Sequence, residues 1–133
     1  MAGSAGQNSG RGRILVADDE PHIRRILITF LEAAGFQVRT EANGVAALER
    51  LRGDEPFDLV ILDILMPKAT GLEVLGAVRQ IEHRSTVPVL ILTAKGQDAD
   101  RTEAFELGAD AFLTKPFSPK KLLAQIDEII ARH

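Results

Sequence analysis

Four stretches of this 133-residue chain end in side chains able to do chemistry: Asp18-Asp19, Asp63, Thr93 and Lys115. Each closes an apolar run that reads as a buried strand: Ile14 to Ala17, Phe57 to Leu62, Pro88 to Thr93 and Ala109 to Thr114. Strands with almost no polar alternation are buried on both faces, as in a parallel sheet covered by helices. In open sheets of that kind, ligands bind outside the carboxyl ends of the strands, where the strand order reverses. With strands one and three side by side at that point, Asp18, Asp19 and Asp63 share one crevice. Like charges at that range raise one another's pKa and oppose folding unless a cation joins them. The donors are all oxygen, without Cys or His, which suits a hard ion such as Mg²⁺ or Mn²⁺. A carboxylate nucleophile, a metal, a lysine opposite and a threonine hydroxyl donor together suit in-line phosphoryl transfer. Asp63 would become an aspartyl phosphate, with Thr93 and Lys115 contacting the phosphoryl group.

Each element also has a plainer reading. Asp18-Asp19-Glu20-Pro21 can cap a helix and complement its dipole. Lys115-Pro116 can be a turn, Thr93 an ordinary strand residue, and Asp63 a turn-forming carboxylate. The functional reading rests on their joint placement at strand ends.

The intervening segments carry helical patterns. Pro21 opens a helix in which Ile23, Ile26, Leu27, Phe30, Leu31 and Ala34 recur at helical spacing, and Gly35 stops it. Gln37 to Glu41 reads as a more polar edge strand. Asn43 to Leu51, Gly71 to Ile81 and Asp98 to Leu107 read as helices. Ser118-Pro119 opens the last one, with Leu122, Leu123, Ile126, Ile129 and Ile130 inward. Five β-α units with right-handed crossovers predict an α/β fold: a doubly wound five-stranded parallel sheet of order 2-1-3-4-5, flavodoxin-like.

Residues 1–12 (MAGSAGQNSGRG) read as a disordered tail or a cloning scar, leaving 13–133 as one domain. There is no cysteine, so a disulfide framework and thiolate metal sites are excluded, and the three His are scattered. A net charge of −3 argues against direct contact with nucleic acid. No stretch reaches membrane-spanning length and no signal peptide is visible, so a cytoplasmic location is expected.

The segments Leu15-Val16-Ala17-Asp18-Asp19-Glu20, Asp63-Ile64-Leu65-Met66-Pro67 with Gly71, Ile91-Leu92-Thr93-Ala94 and Leu113-Thr114-Lys115-Pro116-Phe117 closely resemble the receiver domain of two-component response regulators, the CheY-like family. They occur in family order and span nearly all of Arg13 to His133. The resemblance implies that Asp63 accepts phosphate from a phosphohistidine of a sensor histidine kinase or phosphotransfer protein. It implies that Asp19 binds Mg²⁺ directly, Asp18 largely through water, and that the Leu65 backbone carbonyl completes the protein ligands. Phe112 falls at the aromatic switch position coupled to Thr93. The output surface is then the face of the fourth helix, fifth strand and fifth helix, which also allows a homodimer. The Lys115-Pro116 bond is cis in most of the family. Two departures stand out: Ala69-Thr70 replaces an acidic pair, and Phe112 stands where Tyr is common.

Leu65, two residues after Asp63, cannot orient an attacking water, so slow loss of the phosphate is expected; Lys95 is the matching position after Thr93. A haloacid-dehalogenase-type phosphatase would need an Asp where Leu65 sits. A flavodoxin-like electron carrier would need a phosphate loop where Asp-Asp-Glu-Pro stands. A non-phosphorylated protein-binding pseudo-receiver module is the remaining alternative. The chain reads equally as a stand-alone regulator or as the input domain of a longer protein. Residues 114–123 resemble receivers fused to DNA-binding winged-helix domains.

Overall fold

The computed structural model describes residues 10–94 and 99–133. The first nine residues of the expected tail, together with Lys95 and Asp98, lie outside the described residues. Five strands, β1 (Arg13–Ala17), β2 (Gln37–Glu41), β3 (Leu59–Asp63), β4 (Val89–Ala94) and β5 (Ala111–Lys115), alternate with five helices. These are α1 (Pro21–Ala33), α2 (Gly44–Arg52), α3 (Gly71–Val78), α4 (Ala99–Glu106) and α5 (Pro119–Arg132), with a 3₁₀ turn at Glu82–Arg84. The sheet is wholly parallel in the order β2-β1-β3-β4-β5, as expected, with β2 and β5 at its edges.

Successive strand side chains point to opposite faces, and the core divides accordingly. Leu15, Val60, Leu62 and Ile91 pack with Ala47, Leu51, Val74, Leu75, Val78 and Ala104 from α2, α3 and α4. Ile14, Val16, Leu59, Ile61, Leu90 and Leu92 pack with Leu27 and Leu31 of α1 and with Leu122, Ile126 and Ile129 of α5. Both faces of β3 are therefore covered, which is why its sequence has no polar alternation.

Boundaries moved where side chains took over backbone roles. The sequence reading starts the central strand at Phe57; it starts at Leu59. Asp58 intervenes, its Oδ2 accepting the Arg13 N–H at 2.8 Å, so this carboxylate aligns the start of β1. At the other end, Asp63 and Lys115 are the last residues of β3 and β5 rather than the first of the loops that follow. The helix read to Ile81 ends at Val78, and the following residues turn through Ile81 N–H to Val78 O at 3.0 Å.

Arg11 and Gly12, grouped with the tail by composition, are tied to the fold. Arg11 forms an ion pair with Asp127 of α5 and stacks on Phe36, 4.6 Å from the ring centroid. The Gly12 carbonyl accepts the Gln37 N–H at 2.9 Å. Among the described residues, no helix is long and apolar enough to cross a membrane.

Candidate functional site

The carboxyl ends of β1, β3, β4 and β5 open into a crevice of about 220 Å³ lined by Asp19, Glu20, Asp63, Leu65, Ala94 and Lys115. β1 pairs with β3 through Ala17 and Leu62, so the residues one step further, Asp18 and Asp63, emerge side by side. Lys115 reaches across from the edge strand β5, held there by its pairing with Ala94.

The Lys115 ammonium is the centre of this site. Its Nζ lies 2.9 Å from Asp18 Oδ2, 3.2 Å from Asp63 Oδ2 and 3.3 Å from Glu20 Oε1. Asp18 is fully buried and Asp63 is 5% exposed. Desolvation is the largest influence on Asp63 and raises its pKa. Asp18 pushes it further up, Lys115 opposes, Asp19 adds a little, and the carboxyl ends at about 6. Burial alone lowers the Lys115 pKa, but the hydrogen bonds and charges of Asp18 and Asp63 outweigh it and hold the ammonium above its ordinary value.

The bland reading of the acidic stretch as a helix cap fails on geometry. α1 begins with Pro21 at its first position and Glu20 as N-cap, but no side chain caps it. Asp18 instead folds back: its Oδ1 accepts the Glu20 N–H at 2.9 Å, and its carbonyl accepts Arg24 Nη1 at 2.7 Å. Its other oxygen, Oδ2, is buried, and the Lys115 ammonium at 2.9 Å is its one polar partner among the described residues.

Three carboxylates, Asp18, Glu20 and Asp63, whose oxygens lie within 4.8 Å of one another around a single ammonium, offer the all-oxygen donor set that fits a hard divalent ion. Sequence reasoning paired Asp18 and Asp19 with Asp63. The acidic cluster that the structure brings together is Asp18, Glu20 and Asp63, while exposed Asp19 lines the crevice wall. Glu20 was missed because its place before Pro21 reads as a helix start. The Asp-Asp-Glu spacing was the available signal, since a turn after the strand can present any of the three.

The remaining site residues fall into place around this cluster. Leu65 is 54% exposed at the crevice rim. Thr93 is fully buried, and its Oγ1 donates to the Ala94 carbonyl at 3.3 Å. Phe112 is buried in the core against α4, its ring 6.4 Å from that of Phe105. Arg101 of α4 covers both rings, at 5.6 and 5.8 Å from their centroids. The Lys115-Pro116 peptide is cis.

The loop after β3 is set by close backbone approaches. A Cβ on Gly71 would lie 2.4 Å from the Asp63 carbonyl oxygen, so only glycine lets α3 start against the end of β3. Thr70, at the position where the sequence departs from the acidic pair, caps α3. Its Oγ1 accepts the Glu73 N–H at 3.1 Å, and Glu73 Oε1 accepts the Thr70 N–H at 2.8 Å, a reciprocal capping box. Lys68 has φ 72°, and the Ala69 N–H bonds the Pro67 carbonyl at 2.8 Å, a γ-turn centred on Lys68.

Residues 14–127 match the sequence model of the response regulator receiver domain. The chain is 44% identical over 120 residues to the transcriptional regulatory protein CpxR homolog of Haemophilus influenzae, covering 90% of this chain and 51% of that protein. It is 39% identical over 121 residues to the transcriptional regulatory protein ResD of Bacillus subtilis, covering 90% and 48%. The chain thus spans about half the length of the curated relatives it matches. Among solved structures, the chemotaxis response regulator CheY4 of Vibrio cholerae superposes with a TM-score of 0.83 at 34% identity, covering 89% of this chain and 98% of that one.

Proposed function

The chain belongs to the response regulator receiver domain family, and on that premise we propose that it is a phosphoacceptor module in which Asp63 takes a phosphoryl group from a phosphohistidine. The observation that carries this reading is the convergence of Asp63, Asp18, Glu20 and Lys115 at the mouth of one crevice. The donor is a sensor histidine kinase or a phosphotransfer protein.

In the transfer, an Asp63 carboxylate oxygen forms a bond to phosphorus as the phosphorus–nitrogen bond breaks, and the imidazole leaves, taking a proton from water. With a pKa of about 6, Asp63 is mostly ionised at neutral pH and more basic than an ordinary carboxylate. Lys115 moves from carboxylate oxygens to phosphoryl oxygens, keeping an anionic partner throughout. The Thr93 hydroxyl, one step beyond Asp63's register partner Leu92, supplies a donor to the phosphoryl group. Asp18, Asp19, Asp63 and the Leu65 carbonyl would hold Mg²⁺ or Mn²⁺, with Glu20 also in reach. When bound, such an ion offsets the gathered negative charge and that of the phosphoryl oxygens. Leu65 carries no group to orient a water, which favours a long-lived phosphate.

Phosphorylation adds charge and acceptor oxygens at the end of β3, beside Thr93 of β4. Thr93 drawn toward them changes the packing available to Phe112, and through Phe105 and Arg101 the surface of α4, β5 and α5. That face is the output surface for a partner or a second copy. The names of the longer relatives support an output in transcription, from residues beyond this domain.

Incubation with phosphoramidate and Mg²⁺ followed by intact-mass measurement tests the reading. One phosphoryl group is expected on the native protein and none on Asp63→Asn. Labelling retained on another residue in the variant would refute the assignment, and no labelling of either protein would favour the pseudo-receiver alternative.

A further inference from the structure

Glu20 carries an exposed charge that the fold does not use. It occupies the N-cap of α1 without making a capping hydrogen bond, and its half-exposed carboxylate turns over the crevice to sit 3.3 Å from Lys115 Nζ. An ion pair this exposed contributes little to stability. Its consequence lies instead in the field at the entrance. Asp18, Glu20 and Asp63 surround the Lys115 ammonium and Asp19 lines the same crevice, so among the described residues four carboxylates gather there around one ammonium. Asp18 is buried and Asp63 nearly so, whereas the Glu20 side chain is 56% exposed on the crevice wall.

We propose that Glu20 is a specificity-determining residue: its carboxylate repels free, highly charged phosphodonors and competes with their phosphoryl oxygens for Lys115. The site thereby favours donors in which a proton on the leaving nitrogen or ring offsets the phosphoryl charge, as in phosphoramidate and a ring-protonated phosphohistidine, over dianions such as acetyl phosphate. This rests on the phosphoacceptor reading of Asp63.

The test compares two small donors. Acetyl phosphate is largely dianionic near neutral pH and transfers its phosphoryl group as the phosphorus–oxygen bond breaks and acetate leaves. Phosphoramidate carries less charge; its phosphorus–nitrogen bond breaks and ammonia leaves with the protons already on nitrogen. Initial labelling rates are measured for native protein and Glu20→Gln, at Mg²⁺ saturating for both and at low and high ionic strength. Coulomb repulsion across a wet entrance predicts that the variant gains ~10-fold with acetyl phosphate and ~3-fold with phosphoramidate at low salt. Both gains shrink below ~2-fold near 1 M salt, where screening acts within a few ångströms. Equal gains for the two donors, or gains that ignore salt, overturn the proposal. A variant slower with both donors at saturating Mg²⁺ also overturns it and makes Glu20 a metal ligand instead. If the native protein labels with neither donor, the phosphoacceptor reading fails; if it labels and the donor ratio stays fixed on substitution, only the role of Glu20 fails.

Discussion

The two ends of the sheet both bury charge, but they treat it in opposite ways. At the amino end lies the larger cavity, about 430 Å³, lined by Arg11, Phe57, His83, Arg84, Val87 and His133 among others. Arg84 is 5% exposed there, yet its Nε and Nη2 donors are matched. Nε donates to the Leu51 carbonyl at 2.8 Å, and Nη2 to the carbonyls of Gly53 at 3.0 Å and Glu55 at 2.5 Å. It closes the end of α2, whose last carbonyls have no partner within the helix, and covers the Phe57 ring at 5.3 Å. Nearby Arg79 donates to the Val87 and Gly108 carbonyls, both at 2.6 Å. Burial pulls the pKa of both arginines down, opposed by the charge of Asp110 at Arg79 and of Asp54 and Glu55 at Arg84. At the carboxyl end the crevice is about half that volume. Among the described residues three carboxylates share one ammonium there, and Asp63 is driven up to about 6. Cavity size and gathered carboxylates therefore point to opposite ends of the sheet. The mark of function is buried charge left incompletely satisfied, and the mark of structure is buried charge bonded to backbone.

Substitutions at the two ends should then differ in sign. The largest expected effect is Arg84→Ala, which strips three carbonyls of a donor and uncovers Phe57. It should destabilise by about 3 kcal/mol in urea unfolding, while the folded fraction keeps its phosphorylation rate. Next is Mg²⁺, which binds the folded crevice and not the unfolded chain. At one hundred times its Kd it should stabilise by about 2.7 kcal/mol; a shift in melting temperature that survives Asp63→Asn and Asp18→Asn together would place the ion elsewhere.

Asp63→Asn, smaller again, should stabilise the metal-free protein at pH 7.5 by about 1–2 kcal/mol, since one pKa unit is worth about 1.4 kcal/mol and the wet crevice discounts the full shift. The pH dependence follows from the same raised pKa. The folded state holds a proton that the unfolded chain has released, so this contribution is fully present below about 3.8 and lost as pH rises through about 6. Metal-free native protein should therefore show a falling component of stability across that window, and Asp63→Asn should lack it. The smallest effect on stability belongs to Leu65→Asn, which is exposed and should change unfolding by less than about 0.5 kcal/mol while speeding phosphate loss; an unchanged decay rate sinks the role given to Leu65.

The strands and their order were legible because burial on both faces imposes unbroken apolar runs, and parallel crossovers leave few topologies. Asp18, Asp63 and Lys115 could be placed together for the same reason: each directly follows or ends such a run. Glu20 could not, because before Pro21 it has the signature of a helix start. Only the fold-back of Asp18 onto its N–H directs it over the crevice. Arg84 was silent too. Between Ile81 and Val87 nothing distinguishes it from a surface arginine, and its burial depends on α2 ending where its guanidinium can reach.

The strand ends at which chemistry could gather are written in the residue order alone, since apolar pattern and strand period act through neighbours along the chain. That order also limits the donors among these strand ends to oxygen and one ammonium, since no Cys or His stands there. Tertiary structure alone decided which carboxylates meet Lys115, why Gly71 must lack a side chain against the Asp63 carbonyl, and how far burial shifts Asp63. Those depend on distances between segments far apart in the chain. Electrostatic energy and desolvation are functions of those distances, not of sequence separation.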